Sequence, residues 1–223
     1  DRSVSRGLGD VYKRQAYIKE KARQLPIVEC YIGTKWDYMG EKTVIVTRQH
    51  PQGHFTMGVY LVDIYCKGLL HSEYFFNMNH DDYEMMVKRI DMDEDLKKAA
   101  YADAHKLVYG AIDFAEAVGI DSEDSFDITK YILDEKKEEI PFAEFGRNGK
   151  HYLRADTDEE AELYIPIIME AIGTDFTYSI EGVTDGEVAA AEVPFGDFDF
   201  SELNYDEEEF DKMFEKLNRE SQD

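Results

Sequence analysis

Residues 43–66 read TVIVTRQHPQGHFTMGVYLVDIYC. Two runs rich in Val, Ile, Tyr and Phe flank Pro51-Gln52-Gly53, the composition of two strands joined by a tight turn. The second run, Phe55 to Cys66, is apolar on both faces instead of alternating, which places it in the middle of a sheet covered on two sides. This hairpin fixes the fold class, because a sheet buried on both faces needs helices packed against each of them.

Working outward, IVECYI (Ile27–Ile32) reads as a strand. Before it, Lys19–Leu25 has helical spacing that Pro26 stops, since proline disfavours the helical region for its predecessor. HSEYFFNM downstream reads as another strand, after which the period changes to that of a helix. His80–Ile90 is expected to be helical with Asn79 as its N-cap. A longer helix is expected over Leu96–Val118, with Ala100, Ala104, Leu107, Val108, Ala111, Ala115 and Val118 along one stripe and Gly119 closing it. SFDITKYIL suggests a further short helix. IPFAEFGRNGKHYLRA suggests a second hairpin about Asn148-Gly149. Thr157 and Glu160 form a capping-box signature for a helix kinked by Pro166, and Phe176–Ile180 reads as a last strand. The expected architecture is a single α+β domain over residues 16–180, with a mostly antiparallel sheet of five or six strands and packed helices.

Both termini differ from this domain in composition. Asp10–Gln15 (DVYKRQ) back-translates with ordinary codons into the mosaic end of a sequencing adaptor, so residues 1–15 are read as a non-native scar. Residues 181–223 carry fifteen acids against three bases. Their first part, 181–203, has no periodicity that would bury a core and is read as an acidic linker. Residues 204–223 regain helical spacing through Phe210, Met213, Phe214 and Leu217, a binding stripe for a protein partner, with Asn204 and Glu207 as a cap.

The 223 residues carry a formal charge of −24. That field repels nucleic-acid backbones and anionic membranes, so neither is an expected partner. No apolar run approaches the roughly 18 residues that span a bilayer. Cys30 and Cys66 match no metal-ligand spacing and suit a reducing, cytoplasmic setting.

The stretches ARQLPIVECYI, RQHPQGHFTMGVYLVDIYCKGL, LVYGAIDFAEAVGI and FAEFGRNGKHYL, in that order, resemble a family of uncharacterised bacterial proteins with an LP strand, a G…VYLVD.YC.G hairpin and an FG..GK turn. The resemblance spans most of residues 16–172 and implies the domain boundary, with no activity attached. A lysine is expected after the YC.G block, where this chain has Leu69 and Leu70.

Candidate chemistry centres on Asp63, Cys66 and His71. A carboxylate inside the most apolar strand needs a partner, and Arg48 or nearby backbone amides are the candidates. Cys66 and His71 are the residue types of a thiolate–imidazole pair, with Asp63 or Glu73 as orienter. On one continuous strand they would stand near ~17 Å apart, so the pair requires Gly68 to break the strand. His71, Glu73, His80 and Asp81 lack metal-ligand spacing. DMDED has Leu96 where a calcium loop needs Gly, and His105 borders an apolar stripe as a satisfied core histidine would. Phosphate-binding loops and nucleophile elbows are absent from the sequence, so no cofactor or metal is assigned. The leading expectation is a protein-interaction or regulatory module. A small enzyme built on Asp63, Cys66 and His71 is the alternative, and an acidic mimic of nucleic acid toward a basic protein is the third reading.

Overall fold

The computed structural model describes residues 2–180. Helix α1 (Arg2–Lys21) runs into a 3-10 turn, Ala22–Gln24, that ends before Pro26. Strands β1 (Ile27–Gly33), β2 (Glu41–Gln49), β3 (Phe55–Asp63) and β4 (Gly68–Met78) follow, then helix α2 (His80–Glu94). Strand β5 (Leu96–Lys98), helices α3 (Tyr101–Glu116) and α4 (Phe126–Thr129), strand β6 (Tyr152–Ala155), helix α5 (Asp158–Ile172) and strand β7 (Thr177–Ile180) complete the described chain. The fold is α+β.

The main sheet has five antiparallel strands in the order β4-β3-β2-β1-β5. The Pro51-Gln52-Gly53 turn closes through His50 N to His54 O (2.8 Å) and pairs all nine residues of β2 with β3. One face carries Cys30, Val44, Val46, Tyr60 and Val62 against Tyr17 and Ile18 of α1 and Ala104, Val108 and Ala111 of α3. Ile45, Met57, Val59 and Phe75 point the other way, against Tyr83, Met86 and Ile90 of α2. Alternate residues of β2 therefore feed two cores, which is why its sequence shows no polar face. Asn79 caps α2 as expected, its side chain accepting from Asp82 N at 2.9 Å.

The first helix, expected over Lys19–Leu25, instead spans Arg2–Lys21 and so includes residues read as a scar, and the structure departs from the sequence-based expectation in three further places. The helix expected over Leu96–Val118 starts at Tyr101, because Leu96–Lys98 pairs with Tyr31–Gly33 as an edge strand held by Lys98 to Glu29 (3.0 Å). Asn148 and Gly149 make the expected turn, both with positive φ (54° and 77°), but its arms form only the Arg147–Lys150 bridge. Residues beyond that turn pair in parallel with β7, so the last strand joins a separate two-stranded sheet. β6, α5 and β7 make a unit with a small core of its own, in which Leu153 and Ile168 pack on Cys66, Ala115 and Val118. The candidate stripe Phe210, Met213, Phe214 and Leu217 lies outside the described residues.

Candidate functional site

Asp63 ends β3, and its carboxylate folds back over the turn into β4. Oδ1 accepts from Tyr65 N (2.7 Å) and Cys66 N (3.4 Å), and Oδ2 accepts from Lys67 N (3.2 Å). The turn closes on Gly68, whose φ of 73° suits glycine, and a Cβ there would stand 2.6 Å from that of Ala115 on α3. Asp63 is thus the turn's internal cap, with backbone amides as partners in place of Arg48. Arg48 is 2% exposed and reaches elsewhere. It donates to Ile132 O (2.6 Å), Leu25 O (2.6 Å) and Asp134 Oδ1 (2.7 Å).

Around this turn lies a cluster of charge from four elements. Lys67 Nζ meets Glu160 Oε1 of α5 at 2.8 Å. Arg154 of β6 meets Asp156 at 2.9 Å and Glu41 of β2 at 3.4 Å, while its Nη1 is buried without a hydrogen-bond partner among the described residues. Glu160 belongs to the expected capping box, since Thr157 Oγ1 accepts from its amide (3.1 Å), but its carboxylate accepts from Asp156 N (2.7 Å) and not from the cap residue. Burial pushes Asp63 up to about 6 against the pull of Lys67 and two amides, and burial likewise raises Glu41 against Arg154 and Lys67. Lys67 is held above its ordinary value, its desolvation outweighed by Glu160 and Asp63.

The three residues suspected of chemistry have different surroundings. The Cys66 thiol is 0% exposed inside the apolar cluster of the β6–α5–β7 unit, and burial together with Asp63 pushes it up to about 12. His71 stands three residues into β4, opposite Leu61, and its Nδ1 faces Glu123 at 3.4 Å. Asp63 and Cys66 are brought together by the turn. No hydrogen bond or ion pair joins His71 to either of them among the described residues. His80 faces Glu84 at 3.4 Å, and among the described residues no three His, Cys, Asp or Glu side chains gather so as to hold a metal ion. Sequence reasoning missed Lys67, Arg154, Glu41 and Asp156. For Glu41 and Arg154 the signal is a charged residue within a β run, as in YLRA, which needs a partner when buried, whereas Lys67 and Asp156 lie just outside the strands.

A concave surface opens on another side of the molecule. A cleft of about 480 Å³ separates Tyr101, His105 and Lys106 of α3 from residues 134–141. His105 Nε2 lies 3.0 Å from Asp134 O, its ring 4.7 Å from that of Tyr109, as expected of a satisfied histidine. Tyr101 Oη accepts from Asp134 N at 2.8 Å. Beyond Asp134 the pinning stops: the backbone of Glu135–Pro141 makes no hydrogen bond among the described residues. Lys106 and Lys136 pair with Glu144 (2.8 Å) and Asp113 (2.5 Å), leaving Lys137, Glu138 and Glu139 without ion pairs among the described residues.

No family model, no curated protein and no solved structure matches this chain. None of the described helices is long and apolar enough to cross a membrane.

Proposed function

We propose that the protein is a protein-interaction or regulatory module, and that the cleft between α3 and residues 135–141 is a surface on which it meets its partner. The carrying observation is the open backbone of Glu135–Pro141 along that cleft. Six amides, from Glu135 to Ile140, and the seven carbonyls of Glu135–Pro141 are unpaired among the described residues, and an incoming extended segment satisfies them by main-chain pairing. The cleft falls within the range of about 300–1,000 Å³ over which ligand sites enclose their occupants. Unpaired Glu138 and Glu139, in a chain of net charge −24, favour a basic segment and disfavour nucleic acid. The acidic helix predicted over residues 204–223 is a second contact, its aromatic stripe suited to a groove with a basic rim. The enzyme reading loses ground because Asp63 is spent on turn amides and Cys66 is sealed.

The test compares three forms of the chain for binding to a partner captured by the full-length protein and then purified: full length, a form ending at Ile180, and Glu138→Lys with Glu139→Lys. The cleft variant is expected to lose binding by tenfold or more while melting normally. Unchanged affinity in both altered forms would contradict the proposal.

A further inference from the structure

Glu41 and Asp63 are direct cross-strand partners at the end of the β2–β3 ladder, 8% and 3% exposed. Like charges placed directly opposite destabilise a sheet, and two buried carboxylates that share a site do not both ionise freely. The groups facing this pair from every packed element are Cys66 and Lys67 of the turn, Arg154 of β6, the following Asp156, and Glu160 and Tyr164 of α5. Four carboxylates therefore meet two cations. Full ionisation leaves an excess of two negative charges around the buried pair, beside an Arg154 Nη1 that has no hydrogen-bond partner among the described residues.

We infer that Glu41 and Asp63 hold one shared proton in the closed molecule, and that losing it loosens the β6–α5–β7 unit from the end of the sheet. The unit is the part that moves because it supplies Arg154, Asp156 and Glu160, whereas Glu41 and Asp63 are fixed by the ladder. The direction of both carboxylates, upward through burial, agrees: the closed cluster binds a proton more tightly than the open one. The sign follows by linkage. Closure is strongest at and below Asp63's ordinary 3.8 and weakens as pH rises toward about 6.

The test is amide hydrogen exchange of the full chain at Leu153, Arg154, Ala161 and Ile168 between pH 4.5 and 6.5, corrected for intrinsic rates. The opening constant of these amides is expected to rise roughly tenfold across that range. Glu41→Gln keeps an acceptor for Arg154 while removing the opposed charge, and should make the rise measurably smaller, the remainder coming from the burial of Asp63 itself. Carbon-13 titration of the wild-type carboxyl groups is a check needing no variant, with one member of the pair expected to titrate well above the ordinary carboxylate range. An opening constant independent of pH, the same rise in Glu41→Gln, or two ordinary carboxyl titrations would each overturn the inference.

Discussion

Asp63 accepts three main-chain donors from the four residues that follow it, so its acceptor oxygens matter to the turn whatever its protonation state. Asp63→Ala leaves those amides without their acceptor in a buried turn and should destabilise the protein by about 3 kcal/mol or more, measured by urea denaturation. Asp63→Asn, which keeps one oxygen, should cost clearly less. Cys66 gives an independent check. A thiol with no exposed surface, pushed up to about 12, should be alkylated near neutral pH only at the rate of unfolding. Labelling faster than unfolding would restore the nucleophile. His50 acts at the opposite end of the hairpin, buried between Thr56 (2.7 Å) and the ring of Tyr17, and burial drops it to about 4. The unfolded chain takes a proton near 6.5 that the folded chain refuses, so His50's contribution is full above pH 6.5 and is lost as pH falls toward 4. Thermal melts of His50→Gln should show a shallower acid loss than wild type. Asp63 works in the opposite sense between 3.8 and about 6, which makes the single variants more informative than the wild-type curve.

The elements differ in how much of themselves they show in sequence. β2 and β3 were legible because their pairing is local, their turn chemistry is explicit and both faces are apolar. β5 was not, because three residues, Leu96-Lys97-Lys98, carry no alternation and sit directly before a strong helical stripe. The sequence reads β6 as a hairpin arm and β7 as a strand with no partner assigned, since a parallel pair separated by α5 leaves no local trace of its register. At the candidate site, a buried Asp63 needing partners was readable, whereas its choice of amides over Arg48 depends on the turn's geometry. Arg48 instead joins elements: one guanidinium fastens β2 to the segment before β1 and to residues 132–134 at the cleft's edge. Arg48→Met keeps the apolar stem but leaves two buried carbonyls and the half-exposed Asp134 carboxylate without their donor, and should cost about 2 kcal/mol or more, chiefly from the carbonyls. Arg48→Lys should not restore stability, because an ammonium lacks the fork that reaches all three.

For the whole molecule, the sheet is closed on two faces by helices, and the third core belongs to the β6–α5–β7 unit. What the fold leaves open is the cleft with its unpaired backbone. A chain ending at Ile180 should keep its melting midpoint within a few degrees, because all three described cores lie before that residue; a large drop would mean that residues 181–223 complete one of them. The claim that this is an interaction module is tested most directly by site-specific photo-cross-linking. A photoreactive residue is placed at exposed Lys137 in the cleft and, as a control, at exposed Lys88 on the outer face of α2. The account predicts one discrete protein adduct from position 137, absent from position 88, and competed away by the same partner once purified. No adduct from 137, or the same adducts from both positions, would contradict it.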